Sequence, residues 1–126
     1  NIMDSNKYRK YIYDKVLDSN ARIILPEVYD KRVLEASKKM KKLGFNLIDL
    51  KDFSDNIQLY KENILSKDFV KNWTEEMLVD YLEKPFIQGL LMLDNNDSDC
   101  LVAGATVSTA EVIRSSIRII GIDSAS

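Results

Sequence analysis

The sequence contains no histidine and only one cysteine, Cys100, in 126 residues. A Cys/His zinc site, a Ser-His-Asp triad and a Cys-His dyad all require side chains beyond that one cysteine, so the composition excludes each of them. If the chain catalyses a reaction alone, carboxylates, hydroxyls, lysine or arginine must carry it. A lone cysteine also cannot form an internal disulfide, and this favours a reducing cytoplasm.

Long apolar runs and compositionally biased stretches are also missing. No run approaches membrane-spanning length, the start has no basic-then-apolar signal pattern, and no segment is rich in proline, glycine or serine. The 18 basic and 20 acidic residues are spread along the chain and leave a net charge of −2, too weak a field to gather nucleic acid. We therefore expect one cytoplasmic domain with neither a membrane nor a nucleic acid as partner.

Apolar runs alternate with periodic segments along the chain, and this alternation predicts strands and helices. Strands are predicted at residues 22–25, 45–50 and 100–103. Helices are predicted at residues 4–19, 30–43, 74–84, 86–93 and 108–120. Because a helix separates the first two strands, we expect them to lie parallel in a βαβ unit. Residues 53–73 show only weak helical periodicity without clear boundaries.

The last predicted helix begins with Ser108-Thr109-Ala110-Glu111, which matches a capping box. In this motif the serine hydroxyl accepts from the amide three residues on, and the glutamate reaches back to the serine amide. The helix start follows the carboxyl end of a strand and a turn containing Gly104, a junction whose amides favour phosphate or carboxylate. Helices of α/β proteins generally begin in this way, so geometry alone leaves an anion site and a plain helix cap both open.

Arg114 lies six residues after Ser108, about 9 Å along a helix axis, and its side chain is long enough to fold back toward an anion near the cap. The alternative is a solvated pair, Arg114 and Arg118, opposite an isoleucine stripe. That stripe consists of Ile113, Ile117 and Ile120. The residues by themselves leave both interpretations open.

Residues 97–105, Asp-Ser-Asp-Cys-Leu-Val-Ala-Gly-Ala, together with Ser108-Thr109-Ala110 and Arg114, resemble the phosphate acetyltransferase and phosphate butyryltransferase family. Members of that family carry an acidic segment, a strand that ends in Val-Ala/Ser-Gly-Ala, a Thr-Thr or Ser-Thr pair and an arginine in the next helix. Residues 22–36 are similar to the strand and helix that open the family's domain. Residues 86–92 are similar to the short helix before the acidic segment.

The resemblance implies a three-layer α/β/α fold with a mostly parallel sheet. Residues 1–20 are then an N-terminal helix, and residues 21–126 are a truncated, N-terminal portion of the family's domain.

The implied reaction of the intact protein transfers an acetyl group between acetyl phosphate and coenzyme A. Coenzyme A or acetyl-CoA is a substrate, and no cofactor is bound permanently. The family's helical arginine is associated with the phosphate groups of coenzyme A, which implies that role for Arg114. The implied site is also lined by Gly104, Thr106, Ser108 and Thr109.

The family's catalytic Ser, Arg and Asp belong to a later part of the domain, so the resemblance implies that this chain lacks the catalytic centre. We also expect a homodimer. Two alternatives stay open, namely a non-catalytic module that senses acyl-CoA, such as the acetyltransferase-like domain of some malic enzymes, and a purely structural module. The sensing module is favoured by Val107, which stands where the family usually has His, and a further departure is Ser115, which replaces a usual Pro.

No metal site is expected. Asp94, Asn96 and Ser98 follow the first positions of a calcium loop, but Asp99 occupies the position that requires glycine and Ala105 the position that requires glutamate.

Overall fold

Three parallel strands form the centre of the fold, in the order β2-β1-β3. The computed structural model describes residues 15–121. β1 (Arg22–Ile24) is the middle strand, and it pairs with β2 (Asn46–Leu47) on one side and with β3 (Cys100–Leu101) on the other. The predicted α/β class with a parallel sheet is confirmed.

The register places Ile23 opposite Leu47 in one neighbouring strand and opposite Cys100 in the other. The ladder continues one residue past β2, since Ile48 N donates to Ile23 O at 2.8 Å. The strands are nevertheless shorter than the predicted runs, because each apolar run continues beyond the paired residues into the loop at the carboxyl edge of the sheet.

Helices connect the strands, as a parallel sheet requires. They are α1 (Lys31–Lys42) between β1 and β2, then α2 (Lys51–Asp55), α3 (Ile57–Leu65), a 3₁₀ turn (Asp68–Val70), α4 (Glu75–Leu82) and α5 (Pro85–Asp94) between β2 and β3, and α6 (Thr109–Ile119) after β3. Residues 15–19 are also helical, whereas the earlier part of the predicted helix at 4–19 and residues 122–126 lie outside the described residues. No helix within residues 15–121 is long and apolar enough to cross a membrane.

Three of the six helices α1 to α6 begin at a capping side chain that the sequence predicted, namely Asp30, Thr74 and Ser108. The Asp30 carboxylate accepts from Arg32 N at 2.9 Å where α1 begins, and the Thr74 hydroxyl accepts from Met77 N at 3.1 Å where α4 begins. Pro85 is the first residue of α5, a position where its missing N–H costs nothing. These boundaries were predicted because a cap is a local feature of the chain.

The segment at 53–73, undecided from the sequence, folds into three short helical pieces. Each piece is only three to nine residues long, so no apolar face persists long enough to give a clear period. The pieces still contribute to the core, since Phe53 and Tyr60 are buried and their rings stack with centroids 4.7 Å apart.

Helix α5 lies against the sheet and carries the largest share of the core. Its almost fully buried apolar residues are Phe86, Ile87, Leu90, Leu91 and Met92. Gly89 permits the close approach, because a Cβ atom at that position would lie 2.8 Å from Leu101 Cδ1 and 3.3 Å from Ile24 Cγ2. The absence of a side chain at Gly89 therefore lets α5 pack directly on β1 and β3.

Helix α6 presents a different face to the core from the one its isoleucines suggest. Ile119 is 2% exposed and Ser115 is 1% exposed, and these two residues face inward. The isoleucine stripe lies on the outer side, with exposures of 55% for Ile113, 46% for Ile117 and 45% for Ile120. Burial of Ser115 is possible because its hydroxyl donates to the Glu111 carboxylate at 3.0 Å.

Candidate functional site

The carboxyl ends of β1 and β3 meet at one edge of the sheet, where the loops of parallel α/β proteins bind ligands. β1 continues through Leu25-Pro26 to Glu27, whose side chain is 1% exposed. The loop after β3 runs through residues 104–107 and ends at Ser108, the cap of α6. The two loops therefore meet at this edge, and Glu27 points into the second of them.

The Glu27 carboxylate accepts hydrogen bonds from every residue of the turn at 104–107. Oε1 accepts from the backbone N–H of Gly104 at 2.6 Å and of Ala105 at 3.1 Å. Oε2 accepts from the backbone N–H of Val107 at 3.0 Å, from the Thr106 hydroxyl at 2.8 Å and from the Thr106 backbone N–H. Four amides and one hydroxyl thus converge on a single carboxylate.

This arrangement fixes the charge of Glu27. Burial by itself favours the neutral acid, but the hydrogen bonds from the backbone and hydroxyl of Thr106, and from the Val107 and Gly104 amides, outweigh it and lower the pKa of Glu27 from 4.5 to about 2. The group is a carboxylate at neutral pH. The turn therefore already holds an anion, and that anion belongs to the chain itself.

The sequence left an anion site at this junction open, and it did not identify Glu27 as the carboxylate that the turn holds. The only signal in the sequence was an acidic residue directly after an apolar strand and a proline, at the edge where parallel strands end. Gly104 has φ +120°, which favours glycine and allows the turn to bring its amides together. Whether the junction also binds a ligand stays a prediction.

A cleft of about 550 Å³ lies beside the turn. It is lined by Tyr29 from the loop after β1, by Lys84, Pro85, Phe86 and Ile87 from the start of α5, and by Thr106, Val107, Ser108 and Glu111 from the junction and α6. The Tyr29 hydroxyl lies 2.6 Å from Thr106 Oγ1. Because that threonine hydroxyl donates its proton to Glu27, it is the acceptor from Tyr29. The polar side chains of the lining are hydroxyls, the Lys84 ammonium and the Glu111 carboxylate.

The predicted site residues are not all brought to this cleft. Thr106 and Ser108 line it. Within the described residues 15–121, Gly104, Thr109 and Arg114 are not among those that line the cleft. Arg114 contacts the cleft only indirectly, because its guanidinium forms an ion pair at 3.4 Å with Glu111, which lines the cleft. The Arg114 side chain is 55% exposed.

The capping box at the start of α6 is half formed. The Ser108 hydroxyl accepts from Glu111 N at 3.2 Å, as predicted. The Glu111 carboxylate does not turn back to the Ser108 amide as the motif predicts, because it accepts from the Ser115 hydroxyl and pairs with Arg114. Glu111 thereby links the cleft to the arginine that the sequence singled out.

Arg118, the other arginine of α6, has a separate contact. Its guanidinium carbon lies 5.8 Å from the centroid of the Phe69 ring, a cation–π geometry. The two arginines are therefore not an equivalent solvated pair, since Arg114 is held by a carboxylate and Arg118 by an aromatic ring.

Comparison with known proteins identifies the family. Residues 42–126 match the family model described as phosphate acetyl/butaryl transferase. The chain belongs to this family. A phosphate acetyltransferase from Haemophilus influenzae is 32% identical over 90 residues, which cover 71% of this chain and 12% of that protein. A phosphate acetyltransferase from Acetivibrio thermocellus is 24% identical over an alignment of 138 positions, gaps included, which covers 90% of this chain and 41% of that protein.

Solved structures of phosphotransacetylases share the fold of this family member. The phosphotransacetylase from Streptococcus pyogenes superposes with a TM-score of 0.70 at 20% identity, covering 93% of this chain and 43% of that chain. The EutD phosphotransacetylase from Staphylococcus aureus superposes with a TM-score of 0.62 at 25% identity, covering 88% and 41%. The chain thus spans less than half the length of each of these four proteins.

Two positions at which this family member departs from the family's usual residues have structural roles of their own. Val107 is half-buried against the core, and its backbone N–H donates to Glu27. Ser115 is buried and donates to Glu111. Both residues therefore belong to the framework that holds the cleft wall.

Proposed function

We propose that this chain forms one side of the substrate site of a phosphate acetyltransferase, which transfers an acetyl group between acetyl phosphate and coenzyme A. The observation that carries the proposal is the cleft at the carboxyl edge of β1 and β3, the place where open α/β sheets bind their ligands. Membership of the family supports the reaction class. In the proposal coenzyme A is a substrate, and no cofactor is bound permanently.

Within this site, Arg114 binds a phosphate group of coenzyme A. Its present partner, Glu111, is 3.4 Å away, and both side chains are partly open to solvent, so little free energy holds the pair together. A phosphate group offers a guanidinium shorter and paired hydrogen bonds, which are stronger than this contact. The exchange of Glu111 for a phosphate is therefore favourable.

The remaining predicted residues act as the wall beside that phosphate. Ser108 and Thr109 lie at the start of α6, where the helix dipole favours an anion. Gly104 and Thr106 shape the neighbouring turn, whose amides already donate to Glu27. We propose that these two residues contribute by position and not by binding the ligand through their backbone N–H groups.

We further propose that the groups that carry out acetyl transfer lie outside residues 1–126. The reaction needs a base for the coenzyme A thiol and donors for the oxyanion that forms on the acetyl carbonyl. Among the described residues, the cleft lining supplies hydroxyls, the Lys84 ammonium and one carboxylate, Glu111, which is already paired with Arg114 and Ser115. The chain alone is therefore expected to bind coenzyme A without turning over acetyl phosphate. We also propose that the protein forms a homodimer, as expected from the sequence.

Isothermal titration of coenzyme A into the chain tests the site. Loss of a charge-assisted contact in Arg114→Ala costs about 1.5–3 kcal/mol, so Kd rises roughly tenfold or more. Arg118→Ala is the matched control, since it removes the same charge one turn further along α6, and its Kd is expected to stay within about twofold. Absent binding, or equal affinity of wild type and Arg114→Ala, contradicts the proposed site.

An assay of acetyl-phosphate turnover tests the second part of the proposal. Measurable turnover by the chain alone shows that it contains the catalytic groups. If the intact protein binds acetyl-CoA but turns over nothing, the sensing module is the correct alternative.

A further inference from the structure

We propose that Glu27 is a positioning residue whose carboxylate serves as a built-in anion for the turn at residues 104–107. It occupies the place that a ligand's phosphate or carboxylate takes in such a turn, so substrate anions are directed to the cleft beside it. The inference goes beyond acetyl transfer, because it concerns how the wall of the cleft is held before any ligand arrives.

The convergence of donors separates this arrangement from an ordinary helix cap. A capping side chain accepts from one or two amides at a helix start. Here four consecutive backbone N–H groups and a hydroxyl point at one buried carboxylate. Successive amides that converge on one point form an anion-binding nest, which proteins commonly use for phosphate. Glu27 fills that nest from inside the protein.

A ligand anion cannot share the nest with Glu27. The side chain is 1% exposed and uses both carboxylate oxygens, so a second anion would face its negative charge without free amide donors. The anion-binding capacity of the turn is thus already used. A phosphate that enters the cleft meets Lys84 and the start of α6 instead.

Further hydrogen bonds connect the turn at residues 104–107 to side chains at the cleft surface and on α1. Glu27 accepts from the Thr106 hydroxyl, which in turn accepts from Tyr29 on the cleft wall. On the other side, the Arg32 guanidinium donates to Ala105 O at 3.3 Å. The segment after β1 therefore fixes the turn through an anion, a hydroxyl and a cation.

Chemical rescue tests the proposal. Glu27→Ala leaves four N–H donors around a space similar in size to acetate, and we expect its melting temperature to fall by roughly 10 °C. Sodium acetate at pH 7 is expected to restore several degrees of that loss in a concentration-dependent way. Acetamide, which has the same shape without the charge, is expected to restore none. If the variant is unfolded at 25 °C, acetate is expected to recover its helical circular dichroism.

Two further measurements locate the effect. In Glu27→Ala, acetate is expected to shift the amide resonances of Gly104, Ala105 and Val107, whereas wild type shows no such shift. Glu62→Ala, which removes an exposed carboxylate from α3, is the control and is expected to respond to acetate as wild type does.

Amide hydrogen exchange in Glu27→Gln tests the same contacts without a cavity. The glutamine side chain is neutral, and its amide NH2 is a donor that faces the backbone N–H donors of the turn. The turn amides are therefore expected to exchange at least tenfold faster than in wild type. Unchanged exchange in Glu27→Gln, or equal responses of Glu27→Ala to acetate and acetamide, overturns the proposal.

Discussion

Glu27 precedes Gly104 by 77 positions, yet its carboxylate accepts the Gly104 backbone N–H at 2.6 Å. The contact joins the loop after the first strand to the loop after the third. Both strands are short, and their parallel pairing is what brings the two residues together. Stability at low pH and the geometry of the cleft therefore depend on the same carboxylate.

Glu27 is expected to make stability depend on pH in the acid range. Its pKa is about 2 in the folded state and near 4.5 when unfolded, so the folded state favours the charged form. The stabilisation is present above the unfolded pKa and is lost as the pH falls from about 4.5 toward 2, for a total of about 3 kcal/mol. Urea unfolding at pH 7 and pH 3 measures the part of this change that is complete at pH 3, about 2 kcal/mol. Glu27→Gln is expected to lack this component, and an identical pH dependence in both proteins contradicts the expectation.

The orientation of α6 predicts opposite outcomes for two neighbouring isoleucines. Ile119→Ala removes methyl groups from a residue that is 2% exposed, and we expect a loss of about 2–4 kcal/mol in the free energy of unfolding. Ile117→Ala changes a residue that is 46% exposed, and we expect a loss below about 1 kcal/mol. Urea denaturation of both variants tests the orientation. A larger loss for Ile117→Ala indicates that the isoleucine stripe faces the core after all.

Position 89 is expected to tolerate alanine better than the larger valine. An alanine Cβ meets the Leu101 methyl group at 2.8 Å, but that methyl group ends a side chain that can shift, and the helix gains propensity. We therefore expect Gly89→Ala to change stability by no more than about 1 kcal/mol. Gly89→Val adds two further methyl groups against β1 and β3, and we expect a loss of about 3 kcal/mol. If valine is tolerated as well as alanine, α5 does not lie as close to the sheet as described.

Tyr60 and Asp97 are expected to be energetically coupled. The buried tyrosine hydroxyl donates to the Asp97 carboxylate, which also accepts from Asn95 Nδ2 at 2.9 Å. Burial, together with this hydrogen bond, raises the pKa of Tyr60, so the hydroxyl remains a donor well above neutral pH. We expect Tyr60→Phe to cost about 1–2 kcal/mol. A double-mutant cycle with Asp97→Asn measures the coupling, which we expect to be about 1 kcal/mol. A coupling energy near zero shows that the contact does not contribute to stability.

Local signals in the sequence predicted much of the fold. Asp30, Thr74 and Ser108 each mark a helix start, and each was predicted because the capping side chain bonds an amide two or three residues away. Three strands, and the parallel pairing of the first two, followed from apolar runs separated by helices, whereas the place of the third strand in a parallel sheet followed only from the family resemblance. The pieces of 53–73 were not predicted, since their caps use no side-chain hydrogen bond and their faces are short.

Features that depend on distant contacts were missed or misjudged. The isoleucine stripe of α6 has a helical period, but the period does not say which side meets the core. Ser115 is buried because Glu111 satisfies its hydroxyl, a compensation that hydrophobic patterns do not show. The role of Glu27 was not predicted for a related reason. Its partners are backbone N–H groups in another loop, and nearly every residue has such a group, so the sequence does not show which of them bind a carboxylate.

The separation between Glu27 and its donors also sets an order during synthesis. Glu27 leaves the ribosome well before residues 104–107, so the nascent chain carries an unpartnered carboxylate while helices α1 to α5 emerge. The cleft wall cannot be complete before residues 104–107 have been made, because their amides are the hydrogen-bond donors to that carboxylate. Burial of Glu27 is costly until those donors are present, since an unpaired buried charge loses its hydration without compensation.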